Sequence, residues 1–346
     1  MPPGIATGFR RARHDRPHEV NDMPLHPNLD PELAAGLERA FIPPIDFARL
    51  SPQDLPELRR RMAAGFAAMP PPAGPAVEIE DRQVPGPDGE PDIRLRIYRP
   101  PAARGQSPCL YWIHGGGMIL GMVEMDDARM ASFVRDAGCV AVSVEYRLAP
   151  EHPHPAPVED CYAGLVWTAK NAGELGADPD RIVVGGASAG GGLAAGTVLL
   201  ARDRGTPAVA FQLLLSPMLD DRGITPSSRE FEEALTWNRA ANAFGWTALL
   251  GTAAGTDGVS PYAAPARAAD LRGLPPAYID VGELEIFRDE CLHHARRLVQ
   301  AGVSTEFHLY PGAFHGFDAM VPDAELSRRA AADRVAALKR ALAPDR

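Results

Sequence analysis

Val183 to Gly192 reads VVGGASAGGG, a serine set among glycines and alanines behind a pair of valines. The valines suit the end of a buried strand, and the small residues after them let the backbone turn sharply into a helix. Three readings compete for Ser188: a nucleophile on a strand-to-helix turn, part of a phosphate-cradling loop, or a close-packed helix start with no chemistry. Gly186-Ala187-Ser188-Ala189-Gly190 has the G-x-S-x-G spacing, in which large side chains two residues either side of the serine would collide across the turn. A serine so placed projects from the carboxyl edge of a sheet, where open α/β sheets bind ligands. The helix behind it offers the positive end of its dipole to a developing oxyanion. The phosphate reading is the weaker one. Gly190-x-Gly192-x-x-Ala195 opens too long after Val184 for a dinucleotide loop, and the chain contains no G-x-x-x-x-G-K-[ST].

Working outward, short apolar runs alternate with helical patterns. IRLRIYRP (Ile93 to Pro100) reads as a strand paired with the one before it across PGPDGEP. CLYWIH (Cys109 to His114), CVAVSVEYR (Cys139 to Arg147), RIVVGG (Arg181 to Gly186), FQLLLS (Phe211 to Ser216), AYIDV (Ala277 to Val281) and TEFHLY (Thr305 to Tyr310) follow. Helices are expected near 125–137, 157–172, 189–203, 288–301 and 325–342. The alternation predicts a mostly parallel sheet covered by helices on both faces.

Two helices precede the sheet. Asp30-Pro31 is an N-cap with proline at the first helical position, followed by an apolar face of Leu33, Leu37, Ala40 and Phe41. Ser51-Pro52 repeats the signal ahead of Leu55, Leu58, Met62, Phe66 and Met69. PPPAGP (Pro70 to Pro75) marks the passage to the sheet. The interval 220–264 is longer than a crossover needs and carries Phe231, Trp237, Phe244 and Trp246. The division expected is a disordered tail over 1–25 with Met23 as an alternative start, and N-terminal cap helices over 26–75. A core then runs through 76–219, interrupted by a helical cap insertion at 220–264 and resumed at 265–346.

Composition narrows the classes. The 346 residues are 45% hydrophobic and 23% charged, with a net charge of −10, as in a globular protein with a sizeable core and unlike a nucleic-acid or anionic-membrane binder. No apolar run approaches the roughly 20 residues that span a bilayer. Cys109, Cys139, Cys161 and Cys291 are widely spaced without C-x-x-C, which reads as buried free thiols in a reducing, cytoplasmic setting.

Two more motifs bear on Ser188. HGGG (His114 to Gly117) ends a strand; such a loop turns backbone N–H groups toward a carbonyl oxygen, joined by the N–H of the residue after the nucleophile. YPGAFHGF (Tyr310 to Phe317) puts His315 in a glycine-punctuated loop beyond a strand, where a base for Ser188 belongs in the chain order serine, acid, histidine. The other histidines lie in the N-terminal stretch, inside helices or strands, or in the proline-rich HPHP at His152 to Pro155. No carboxylate or cysteine spacing there completes a metal site.

HGGG, YRLAPEHPHPAPVED, GASAGG, GELEIFRDE and YPGAFHGF, in this order and spacing, resemble the hormone-sensitive-lipase family of α/β-hydrolase esterases over about residues 30–342. The resemblance implies an α/β-hydrolase fold with a helical cap, Ser188 as nucleophile, His315 as base, and Gly116, Gly117 and Ala189 as oxyanion donors, with His114 and Gly115 shaping the loop. It implies a small-molecule ester substrate, short-chain by default, no cofactor or metal, no nucleic-acid or stable membrane partner, and the homodimers frequent in the family. Ala187 stands where the family usually has Asp or Thr. Aligning the family's D-P-L-R-D on Arg288-Asp289 puts Glu285 at the acid, with Glu283 the alternative; Asp280 lies within a strand and Asp289 at a helix start. Arg147, Glu151, His152 and Asp160 are expected to hold their loop. Cleavage of amides, formamides or lactones, or ligand reception without catalysis, are the competing functions.

Overall fold

Eight strands in one sheet carry the structure, a computed structural model that describes residues 26–40, 45–70, 74–100, 106–232, 234 and 236–343. They are β1 (Glu78–Val84), β2 (Ile93–Arg99), β3 (Ser107–Ile113), β4 (Val140–Glu145), β5 (Ala177–Ala187), β6 (Phe211–Leu215), β7 (Ala277–Leu284) and β8 (Thr305–Phe314). Their order across the sheet is β1-β2-β4-β3-β5-β6-β7-β8. β2 pairs antiparallel with both β1 and β4, and every pairing from β4 to β8 is parallel.

The helices are α1 (Pro31–Ala40), α2 (Leu55–Ala67), α3 (Asp127–Ala137), α4 (Ala156–Lys170), α5 (Ala172–Leu175) and α6 (Ala189–Arg204). After them come α7 (Pro226–Glu230), α8 (Arg239–Leu250), α9 (Arg288–Gln300), α10 (Phe317–Met320) and α11 (Glu325–Ala341). The two-residue period of the strands divides the core. Leu110 and Trp112 of β3, Val183 of β5 and Leu213 of β6 face α3 and α11, meeting Met130, Phe133, Val134 and Leu338. Their neighbours Tyr111, Ile113, Val184 and Leu214 face the other way, toward Leu165 of α4, Leu193 of α6 and Leu298 of α9. Burial on both faces is why these runs read as continuously apolar.

Asp30 caps α1 as expected, its Oδ1 accepting from the N–H groups of Glu32 (2.9 Å) and Leu33 (3.1 Å). The second start differs. Pro52–Asp54 form a 3₁₀ turn, with the Asp54 carboxylate accepting from Ser51 N and Oγ, and the α-helix begins at Leu55. The expected tail over 1–25, with Met23, and Phe41 lie outside the described residues.

Three strands outrun their expected ends, β5 by one residue to Ala187 and β7 and β8 by more, toward the site. β7 continues to Leu284, and β8 passes Pro311 to reach Phe314. Gly282 pairs with Tyr310 but Leu284 with Phe314, so β8 carries extra residues there as a bulge. Gly312 at φ 72 takes up the irregularity. Pro311 is tolerated because β8 is an edge strand.

Candidate active site

Ser188 sits between β5 and α6 with φ 58 and ψ −122, a conformation that costs a non-glycine residue about 1–3 kcal/mol. The surroundings hold it there. Ser188 N donates to Leu215 O at 2.8 Å, and Ser188 O accepts from Met218 N (2.9 Å) and Gly192 N (3.1 Å). The glycines are needed for space. A Cβ on Gly186 would stand 2.2 Å from Gly190 O, and one on Gly190 would stand 2.1 Å from Ile113 O.

His315 is the first residue beyond β8 rather than part of a longer loop, because the strand runs on through its bulge. Its Nε2 lies 3.0 Å from Ser188 Oγ and its Nδ1 2.5 Å from Glu285 Oε2. A carboxylate accepts only, so the ring proton belongs on Nδ1 and leaves Nε2 free to accept from the hydroxyl. The Phe287 ring meets the imidazole edge-on at 5.1 Å between centroids. Glu285 is fully buried, and its second oxygen, Oε1, accepts from Gly282 N (2.7 Å) and Ser216 Oγ (2.8 Å).

The other acidic residues have other partners. Glu283 belongs to β7 rather than to the loop after it, and its Oε2 accepts from Gly312 N at 2.8 Å, inside the bulge of β8. Asp280 pairs with Arg334 of α11 at 2.6 Å, and Asp289 accepts from Ser227 N at 2.7 Å.

The HGGG loop closes one side. A Cβ on Gly115 would be 3.4 Å from that of Ser188, so this glycine lies directly against the serine. His114 stacks on Tyr146 at 4.3 Å between ring centroids, and Tyr146 OH donates to His114 O at 3.0 Å. Gly116 O accepts from Ile119 N (3.2 Å) and Leu120 N (2.8 Å), curling the loop back on itself. Gly117 follows in the same loop, while Ala189 is the first residue of α6.

Segments distant in sequence cover this loop. Trp237 Cη2 stands 2.1 Å from where a Gly117 Cβ would be, and Phe47 meets the indole edge-on at 5.2 Å between centroids. Thr236 Oγ1 donates to the carbonyl oxygen of His315 at 2.8 Å. Arg59 of α2 fastens the next loop with bonds to Glu151, Ala149 O and Ile119 O, all between 2.7 and 2.9 Å. Arg147 pairs with buried Asp160 at 2.8 Å through two of its nitrogens, in keeping with a role in holding this loop.

A largely buried ionic network begins three residues past His315. Asp318 of α10 pairs with Arg334 of α11 and with Arg129 of α3; Arg129 also pairs with Asp126, which accepts from Trp112 Nε1 at 2.8 Å. Burial alone would raise the Asp318 carboxyl, but Arg334 and Arg129 outweigh it and hold it well below the usual carboxylate range. Sequence reasoning missed Ser216, Thr236 and this network. Ser216 ends an expected strand and offered the one usable signal, a hydroxyl at the sheet's carboxyl edge beside the serine turn.

The order of strands, the serine turn and the histidine beyond the last strand define one class of protein. The chain belongs to the α/β-hydrolase fold family, whose model matches residues 110–319, and within it to the carboxylic ester hydrolases of the hormone-sensitive-lipase type. It is 37% identical to carboxylesterase NlhH of Mycobacterium tuberculosis over 317 residues, covering 91% of this chain and 97% of that protein. An arylesterase of Saccharolobus solfataricus is 33% identical over 294 residues, covering 84% and 92%. Among solved structures, a bacterial heroin esterase superposes with a TM-score of 0.86 at 46% identity, covering 92% of this chain and 99% of that one. Among the described residues, no helix is long and apolar enough to cross a membrane.

Proposed function

We propose that this protein is a serine carboxylesterase acting on small, short-chain acyl esters through Ser188, His315 and Glu285. The observation that carries the reading is the continuous row from Ser188 Oγ through His315 to Glu285, at 3.0 and 2.5 Å. His315 takes the Ser188 proton as Oγ attacks the ester carbonyl carbon, and Glu285 keeps the imidazole in the required tautomer and balances its charge. The tetrahedral oxyanion is met by the N–H groups of Gly116, Gly117 and Ala189, each such donor typically worth about 3 kcal/mol. His315 then returns the proton to the leaving alkoxide, freeing the alcohol. Water, deprotonated by the same imidazole, releases the acid and regenerates the serine.

Residues 26–75 and 220–264 act as a two-part cap over the acyl and alcohol pockets. Phe47 from the first part and Trp237 from the second, packed together over Gly117, support that assignment and favour short acyl chains. Four buried free cysteines agree with a reducing, cytoplasmic setting.

Ser188→Ala is the decisive variant. Ester turnover should fall roughly 10³-fold or more while the protein remains folded; a variant that still hydrolysed p-nitrophenyl acetate at the original rate would overturn the assignment. A series of p-nitrophenyl esters from acetate to decanoate tests the chain-length reading, which expects kcat/KM to peak among the shortest.

A further inference from the structure

We infer that Thr236 is a positioning residue for the general base, holding the backbone of His315 from the insertion rather than from the core. The inference rests on the reading of His315 as base. Thr236 Oγ1 donates to His315 O at 2.8 Å across 79 positions of sequence. The ring of His315 is oriented by Glu285 and faces Ser188, but both bonds act at the imidazole nitrogens. They set the direction of the ring and do not themselves hold the main chain behind it. That main chain is the junction between the end of β8 at Phe314 and the start of α10, with Gly316 at φ 78. The Thr236 hydroxyl supplies a third point of attachment, on the backbone itself.

Thr236 is in turn held in place by its neighbours. Trp237 is buried, its indole against Gly117 and in T-shaped contact with Phe47. Asn238 Oδ1 accepts from Ala241 N at 2.9 Å and starts α8. One turn further, a Cβ on Gly245 would stand 2.9 Å from Gly117 O, so α8 itself rests on the HGGG loop. Two consecutive residues of one segment therefore touch the base and the oxyanion loop, and any displacement of the segment reaches both. Misplacing a reacting group by about 1 Å can cost 10²-fold in rate, and loss of one restraint among several should cost less.

Thr236→Val removes the donor while keeping the branched shape, and Thr236→Ser keeps the donor while losing the methyl. Both are measured on p-nitrophenyl acetate beside the parent protein and Ser188→Ala, with working sites counted by a stoichiometric organophosphate. The expected result is a kcat per working site about tenfold lower in Thr236→Val, with KM within about twofold and at least roughly half of kcat kept by Thr236→Ser. The inference is overturned if the valine variant keeps its kcat, if the serine variant falls as far as the valine one, or if the loss appears in KM. Turnover retained by Ser188→Ala would overturn the reading of the site, and the inference with it.

Discussion

Ser216 donates its hydroxyl to Glu285 Oε1 at 2.8 Å, the carboxylate oxygen that is not engaged by His315. With Gly282 N on the same oxygen at 2.7 Å, the carboxylate is fixed at both ends. The extra methylene of a glutamate is absorbed because its side chain folds back onto the strand it has just left. Ser216 N in turn donates to Asp280 O at 2.7 Å, which ties β6 to β7 directly beneath the acid.

Glu285→Gln preserves this shape but offers His315 an amide that can point its NH₂ at Nδ1 and impose the wrong tautomer. A fall in kcat of about 10³- to 10⁴-fold is expected, by analogy with acid-to-amide changes in other triads. Glu283→Gln is the control. Its carboxylate supports Gly312 N in the bulge, so the change should cost at most about 1 kcal/mol of stability and leave kcat within about threefold. Steady-state kinetics of the two variants check the choice of acid, and a reversed pattern would move it to Glu283.

The sheet was legible because its central strands carry apolar runs buried on both faces and alternate with helical patterns; Val183-Val184 and Leu213-Leu214 announce their burial directly. Strand ends were less legible where pairing overrode composition. Pro311 and Gly312 read as a terminator, yet β8 continues because an edge strand tolerates proline and a bulge accommodates glycine. Ser188 and His315 stood out because each sits in a local pattern, a cleared turn and a glycine-rich loop. Ser216 and Thr236 impose none. Their hydroxyls matter only through residues 69 and 79 positions away, which no local spacing encodes. The Asp318–Arg334 pair was hidden for the same reason, its members looking like surface charges on amphipathic helices.

Gly186→Ala should be among the most damaging small substitutions in the chain. The added methyl would meet Gly190 O at 2.2 Å and Ile113 O at 2.8 Å, both backbone atoms that cannot step aside. A loss of about 3 kcal/mol or more is expected. Gly173→Ala in α5 has open space around its Cβ and should be neutral or stabilising by up to about 1 kcal/mol. Denaturant midpoints for both proteins provide the comparison.

Acid stability should depend on Asp318. Its carboxyl titrates below the unfolded range because Arg334 and Arg129 more than offset burial. A lowered folded value means that the stabilisation is fully present above the unfolded pKa, about 3.9, and is lost as pH falls through the folded value. Asp318→Asn takes one of two carboxylate partners from buried Arg334 and from partly exposed Arg129, at an expected cost of about 1.5–3 kcal/mol at neutral pH. The gap between parent and variant should begin to narrow below about pH 4, where the carboxyl of the unfolded parent gains its proton while the folded one stays ionised. Urea melts at pH 7 and pH 3.5 measure that gap, and a constant difference would assign the loss to packing alone.

Trp237 is expected to bear on chain-length preference, since its indole occupies the space beside Gly117, backed by Phe47 and 8% exposed. Trp237→Ala exchanges that ring for an opening next to the HGGG loop. A truncation of this size costs about 3–5 kcal/mol of stability, so turnover must be compared per working site. The ratio of kcat/KM for p-nitrophenyl octanoate to that for acetate should rise roughly tenfold, on the scale at which single methylenes are discriminated in apolar pockets. Trp237→Phe, which keeps an aromatic ring against Phe47, should fall between the two. A ratio unchanged in both variants would remove Trp237 from the acyl pocket and leave it a purely structural residue of the insertion.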